Sequence, residues 1–252
     1  MKLNKKNYYN DHSRWSASIC KVFNECPARA IAMLNGEWEQ PKTDALMVGS
    51  FVDAWFEGTI ENFKLTNPEI FNSRTGELKA QFRNAMQMIE RCQQDEVFMS
   101  YCTGQKQKIL TGELFGLPFK AKLDFYKKGQ RIVDLKTTAD FQPKYAPGQG
   151  RVSFIQYWQW PMQMAIYQAL EGNKLPCFLA IVSKQDPPNI EVVHIPQETL
   201  DAEMEILGSK IQAWDAMRRG IIEPARCGEC EYCRATKKLT TYIDLDELEI
   251  EA

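Results

Sequence analysis

The sequence predicts an α/β fold: a central mixed β-sheet flanked by helices. Three observations predict it. Apolar residues recur at helical spacing through the first hundred residues. The period then shortens to that of strands over residues 106–137. A helix, two strands and a further helix follow, an alternation that buries a sheet between helices.

The elements follow in order. Residues 15–34, Trp15 to Leu34, read as a helical region broken by Pro27, because proline cannot continue a helix but can start one. Residues 44–58 read as a helix from Asp44 to Gly58. Residues 77–92 carry Leu78, Phe82, Met86 and Ile89 on one stripe, which predicts an amphipathic helix. Three strands are expected at 106–114, 118–127 and 131–137, with turns at Gly116-Leu117-Pro118 and Lys128-Gly129-Gln130. A helix around 155–171 has Pro161 near its start or at a kink. Strands at 176–184 and 189–195 flank Pro187-Pro188, and residues 198–219 form another amphipathic helix. The acidic tail adds either a strand over Thr240 to Leu245 or a mobile end.

The chain has 252 residues, 44% hydrophobic and 25% charged, which suits one globular domain over 1–252. The net charge of −2 gives no basic field, so a sequence-independent DNA coat protein is disfavoured. No stretch approaches the ~18 apolar residues of a membrane span, and Met1 to Ser13 lacks a signal-peptide pattern. The expected location is the cytoplasm, with no membrane partner. His12 and His194 are the only histidines, which leaves a serine or cysteine nucleophile little to work with.

The chemistry concentrates in Asp124, Asp134 and Lys136. Asp124 ends one strand, while Asp134 and Lys136 lie two apart on the next and share a face. A hairpin can bring the two carboxylates and the amine together at a sheet edge. Hard divalent cations, Mg²⁺ or Mn²⁺, take such oxygen ligands, and a neighbouring lysine can stabilise negative charge on a phosphodiester. Ile132 and Val133 make the strand read as buried, where Asp and Lys are seldom placed without a role. Lys120, Lys122, Lys127, Lys128 and Arg131 cluster on the same hairpin and are candidates for phosphate contacts. Trp158 and Trp160 could stack on bases, but core packing is the simpler expectation.

These residues sit within a series of motifs. Ser18-Ile-Cys-Lys-Val-Phe-Asn-Glu-Cys26-Pro-Ala-Arg29, Gly49-Ser-Phe-Val-Asp53, Thr111-Gly-Glu113, Asp124 with Asp134-Leu-Lys136, and Gln163-Met-Ala-Ile-Tyr167 occur in that order. The series resembles the PD-(D/E)xK nuclease superfamily, within it the RecB-like branch, and most of all exonucleases of the RecE type. The resemblance covers roughly Trp15 to Lys238 and implies a restriction-endonuclease-like core. It implies that Asp53, where the family usually has His, joins Asp124 and Asp134 at the metal. It implies that Gln163 and Tyr167, one helical turn apart, face the active site, and that Glu113 is a further catalytic carboxylate. The activity it implies is 5′→3′ degradation of linear double-stranded DNA in phage-type recombination. A homo-oligomeric ring and a single-strand annealing recombinase are the implied partners. A CRISPR-adaptation or repair nuclease, and a decayed DNA-binding scaffold, are the alternatives.

Three of the eight cysteines, Cys227, Cys230 and Cys233, form a Cys-x₂-Cys-x₂-Cys run that points to metal or cluster binding. Among RecB-like nucleases, some hold a [4Fe–4S] cluster with one N-terminal and three C-terminal cysteines. That arrangement implies Cys26 as the fourth ligand, with Cys20 as a substitute and zinc as the alternative occupant. Such a site would join segment 15–34 to segment 227–238. Cys92, Cys102 and Cys177 read as small core residues.

Overall fold

A computed structural model describes residues 3–146, 148–242 and 245. Where the sequence suggests a single domain over 1–252, the chain divides into two compact units. One comprises Met1–Lys21 and Gln40–Gln212, the other Val22–Glu39 and Ala213–Ala252.

Ten α-helices and seven strands occur among the described residues. In order they are α1 Ala17–Glu25, α2 Pro27–Leu34, α3 Asp44–Glu57, α4 Ile60–Thr66, α5 Asn84–Gln93, α6 Glu96–Tyr101, β1 Gln105–Leu114, β2 Leu117–Lys127, β3 Arg131–Thr138, β4 Lys144–Ala146, β5 Gly150–Val152, α7 Phe154–Tyr157, α8 Trp160–Glu171, β6 Cys177–Ser183, β7 Ile190–Ile195, α9 Gln197–Arg218 and α10 Glu231–Ala235. In the larger unit, five strands make one mixed sheet in the order β1-β2-β3-β6-β7. β1, β2 and β3 meander antiparallel, β6 lies parallel to β3, and β7 returns antiparallel. A parallel neighbour needs a crossover, which α7 and α8 supply.

The sheet is covered on both faces. On one, Phe51, Val52 and Phe56 of α3 and Met88 and Ile89 of α5 pack with Phe125, Val133, Leu135 and Val182 of the strands. On the other, α8 packs along β1, β2, β3 and β6 and is buried from Trp160 through Gln168. Burial from both sides explains why β6 is a nearly continuous apolar run and why β3 carries Ile132, Val133 and Leu135. The β1–β2 turn is the two residues Phe115 and Gly116, with φ of 55° and 74°. Two positive φ values mark the turn type that matches strand twist, and Gly116 adopts its value without steric cost.

β2 outruns β3. The two pair only from Phe125 to Lys127. Beyond that, the exposed edge of β2 is taken by Trp15, which bridges Phe119 and exchanges hydrogen bonds with Pro118 O and Lys120 N. The N-terminal segment is thereby carried across β2.

Several elements differ from expectation. The predicted helix 77–92 begins only at Asn84, because Leu78 pairs with Phe71 in an isolated bridge and Ala80–Phe82 is a 3₁₀ turn. Leu78 and Phe82 still pack on the core, so the apolar stripe was read correctly but its backbone was not. The short α4, α6 and α10 and the β4–β5 hairpin are too brief to display a period. Pro161 falls in the first turn of α8, where its missing N–H costs nothing. Of the tail strand expected over Thr240 to Leu245, Thr240–Tyr242 lie in no strand and residues 243 and 244 fall outside the described residues. Among the described residues, no helix is long and apolar enough to cross a membrane.

In the smaller unit, Cys26 caps α2 and Pro27 starts it. Phe23 packs against Trp214, and Trp38 against Tyr232. Ala28 N donates to Ala225 O.

Candidate active site

The β2–β3 register continues to set Asp124 opposite Asp134, at the point where the ladder stops. The cause is local. The Asp124 carboxylate accepts the Leu135 N–H through Oδ2 at 2.9 Å, in place of a strand carbonyl. Asp134 is buried, and its Oδ2 forms an ion pair with Lys136 Nζ. The two-residue spacing of Asp134 and Lys136 thus puts both on one side of β3, as the sequence predicts.

Helix α3 brings Asp53 to the same place. Thr43 caps it, accepting from Leu46 N. A Cβ at Gly49 would lie 2.9 Å from Thr137 Oγ1 on β3, so only glycine lets the helix lie this close to the strand. Asp53 follows one turn later and Glu57 another, on the same side of the helix.

Helix α8 closes the site from the opposite face. Gln163 Nε2 donates to Asp134 Oδ1 at 3.0 Å and to the Tyr167 hydroxyl at 2.9 Å. Lys21 Nζ donates to Gln163 Oε1 at 2.8 Å and fixes which end of the amide faces the carboxylate. Across β1, Gln107 Nε2 donates to Asp124 Oδ1 at 3.1 Å.

Three carboxylates near one ammonium shift each other's protons. Burial pushes the Asp53 carboxyl up to about 7, with Asp134 and Glu57 adding to the rise and Lys136 and Lys122 opposing it. Burial raises Asp124 well above the usual carboxylate range, aided by Asp134 and Asp53. For Lys136, burial alone would lower the pKa, but Asp134, Asp124 and Asp53 together outweigh it and raise it. The Tyr167 hydroxyl is raised by burial and by Asp134 and Asp124, and so keeps its proton. Lys136 is a fixed positive charge in an otherwise anionic site.

The residues fit a hard divalent cation. Asp53, Glu57, Gln107 and Asp124 line a cavity of about 10 Å³, the space of one small sphere. Gln107 Oε1 is buried there with no hydrogen-bond partner, an oxygen without a donor among carboxylates. A groove of about 340 Å³ along Tyr9, Ser50, Asp53, Glu57, Gln107 and Lys122 adjoins it. A larger groove of about 1090 Å³, along Trp55, Phe71, Leu78 and Met86, includes none of these carboxylates, so size alone does not mark the site.

A family model describing a PDDEXK-like domain of unknown function, DUF3799, matches residues 16–236. The chain belongs to this PDDEXK-like family. A crystal structure of a protein from Eubacterium rectale, described as a "putative exonuclease", is 38% identical, covers 100% of both chains and superposes with a TM-score of 0.93. No curated protein matches the chain. The mixed sheet flanked by helices is the PDDEXK-like α/β core that the sequence predicts.

Within this PDDEXK-like core the structure brings Asp53, Asp124, Asp134, Lys136, Gln163 and Tyr167 together. It leaves Glu113 apart. Glu113 is exposed and opposite Pro118, six residues along β1 from Gln107, or about 20 Å at strand rise. Gln107, Glu57 and Lys21 are the site residues that sequence reasoning missed. Gln107 was within reach of a register argument: with the turn at Phe115-Gly116, residue 107 falls opposite 124.

The hairpin cations separate as well. Lys120 is buried, and its Nζ donates to Tyr8 O and Asp11 O at 2.5 Å each, so it ties down the N-terminal segment and is not available to phosphate. Arg131 donates to Ser100 O and stacks on the Tyr101 ring. Lys122 donates to the Tyr9 hydroxyl at 2.7 Å and lines the groove. Lys127 and Lys128 lie at the β2–β3 turn, and Lys128 is exposed. Trp160 is buried, while Trp158 is partly exposed. His194 is exposed on β7 beside Phe178.

In the smaller unit the sulfurs of Cys26, Cys227, Cys230 and Cys233 all lie within 4.8 Å of one another. Cys26 is the fourth member, and Cys20 is not in the group. Cys26 and Cys233 are 3.6 Å apart, and Cys227 and Cys233 3.9 Å. Four thiolates around one zinc at 2.3 Å would be about 3.8 Å apart. Although burial opposes it, N–H groups of Cys230 and Glu229 pull the Cys227 thiol down to about 7. Burial pushes Cys230 up to about 12. The group could hold zinc or an iron–sulfur cluster. Cys92, Cys102 and Cys177 are buried and lie outside this group, as expected of core residues.

Proposed function

We propose that this chain is a divalent-metal-dependent DNA nuclease that hydrolyses phosphodiester bonds of linear double-stranded DNA from its ends. The observation that carries the reading is the meeting of Asp53, Asp124, Asp134 and Lys136 where β2 and β3 part. The name given to the Eubacterium rectale relative supports an exonuclease.

Asp53, Asp124 and Asp134 would hold Mg²⁺ or Mn²⁺. Such an ion polarises the scissile phosphate and acidifies a water bound to it. Lys136, kept protonated by its three carboxylates, places positive charge where the phosphoryl oxygens gain negative charge. Gln163, oriented by Lys21, keeps the Asp134 carboxylate from turning. Tyr167 accepts from Gln163, which leaves its own proton to donate to a phosphate oxygen. The groove beside Lys122 and Tyr9 is the approach for the strand.

We further read the chain as a cytoplasmic, RecE-type 5′→3′ exonuclease of phage-type recombination, acting beside a single-strand annealing protein. A homo-oligomeric ring would let a chain of net charge −2 stay on DNA by enclosure. The four-cysteine group favours a second reading, a CRISPR-adaptation or repair nuclease of the RecB-like kind. The presence of Asp124, Asp134 and Lys136 together speaks against a decayed scaffold.

Digestion of linear against closed circular duplex, with Mg²⁺ and with chelator, tests the proposal. Loss of linear duplex only, abolished by chelator and reduced about 10²-fold or more by Lys136→Ala, is expected. Full activity in Lys136→Ala would remove that lysine from the mechanism. Equal cutting of circles would overturn end-dependence. Labelling each 5′ or 3′ end reads polarity and separates the two nuclease readings.

A further inference from the structure

Gln107 is not explained by its place in the sheet. It sits in β1 between Lys106 and Lys108, whose partners on β2 are Phe125 and Leu123, and the pairing skips Gln107 and Asp124 between them. Its φ is 56°, a left-handed conformation that a residue with a side chain adopts at a steric cost. Its side chain is buried, with the whole residue 5% exposed. The amide nitrogen donates to Asp124 Oδ1, and the need of that carboxylate for a donor fixes which end of the amide is oxygen. Oε1 is therefore buried without a partner. The residues sharing its cavity include Asp53, Glu57 and Asp124, which in the ionised form that binds a cation have no proton to give it.

We propose that Gln107 Oε1 is a further, neutral oxygen ligand of the divalent cation held by Asp53 and Asp124. The inference rests on the nuclease reading of that site. An acceptor facing acceptors is satisfied by a cation or by water bound to one, and amide oxygens are ordinary ligands of hard cations. A neutral ligand suits this position, because three aspartates already face a single lysine. The strained backbone at Gln107 is what turns its side chain toward Asp124.

The test is Mn²⁺ binding to the full chain, read by the free-ion paramagnetic resonance signal, for the unsubstituted protein, Gln107→Leu, Gln107→Glu and Asp124→Asn. Gln107→Leu is expected to weaken Mn²⁺ binding about tenfold or more. Gln107→Glu keeps an oxygen and adds charge, so it is expected to bind Mn²⁺ at least as tightly and to gain more melting temperature from it. Unchanged affinity in Gln107→Leu would overturn the assignment while leaving the nuclease reading intact. Should Gln107→Leu fail to fold, weaker Mn²⁺ binding by Gln107→Glu than by the unsubstituted chain would overturn it instead. No Mn²⁺ binding by the unsubstituted protein, matched by Asp124→Asn, would sink both readings.

Discussion

Gly49 should act as a spacer between helix α3 and strand β3, and Gly49→Ala tests it. The added Cβ would lie 2.9 Å from Thr137 Oγ1, more than half an ångström inside an ordinary contact of about 3.5–4.0 Å. Thr137 is β-branched and stiff, so its hydroxyl does not swing away at little cost. Alanine in a helix interior gains about 1 kcal/mol over glycine, while overpacking costs about 1–3 kcal/mol. The expected net loss is about 0–2 kcal/mol, read as a shift in the urea midpoint at constant slope. Thr137→Ala removes the opposing atom. The double variant should therefore keep the helical gain and exceed the sum of the single effects by about 1–3 kcal/mol. Because Asp53 rides on α3, digestion of linear duplex should fall about ten- to a hundredfold in Gly49→Ala and recover in the double variant. Effects additive within about 0.5 kcal/mol would refute the spacer argument.

Three further expectations follow from the same geometry. The Asp53 carboxyl is raised from an ordinary carboxylate value to about 7, so the folded protein prefers it protonated and loses stability as pH rises from about 4 through about 7. Without divalent ions, Asp53→Asn should flatten that decline in melting temperature, and an unchanged slope would contradict it. Lys120→Met leaves Tyr8 O and Asp11 O without their buried donor, and should cost about 1–3 kcal/mol in urea unfolding. Duplex affinity should stay unaltered, and a loss of DNA binding at constant stability would restore Lys120 to the DNA surface. Purified protein should carry metal at the four cysteines, and Cys230→Ser should lower its melting temperature more than its nuclease rate. Elemental analysis with a visible absorption spectrum separates zinc from iron–sulfur, and metal-free protein with an unchanged melting temperature on chelation would sink the structural role.

Much of the fold was legible because burial leaves a periodic trace. Phe119, Ala121, Leu123 and Phe125 alternate along β2 and are all buried, so that strand could be read from its pattern. β6 lies inside the sheet and shows an unbroken apolar run from Cys177 to Val182, and β3 beside it carries Ile132, Val133 and Leu135. Helix α9 spans 22 residues, long enough for its stripe to repeat several times. The start of α5 was misplaced for the opposite reason. Leu78 and Phe82 occupy helical positions in the sequence and pack on the core in space, yet a bridge to Phe71 holds the backbone of Leu78 and a 3₁₀ turn carries Phe82. A hydrophobic pattern reports which side chains are buried, and only by inference which backbone carries them.

The site divides along the same line. Asp134 and Lys136 were legible because strand parity is a local rule, and Gln163 and Tyr167 because helical spacing is another. Lys120 obeys the same parity as Lys122 and Asp124, yet a segment more than a hundred residues earlier covers it, and no local rule contains that fact. Gln107 lies between these cases. Its position opposite Asp124 is simple arithmetic on the hairpin, and the expected turn at Gly116-Leu117-Pro118 was centred too late to give it. In its place the motif order directed attention to Glu113, whose charge fits a metal site but whose register does not. A neutral amide carries no signature in composition or charge. It became visible only when its oxygen was found buried beside Asp124 with nothing to bond. Unpaired acceptors in anionic cavities are thus the class of site residue that sequence patterns pass over and polar bookkeeping recovers.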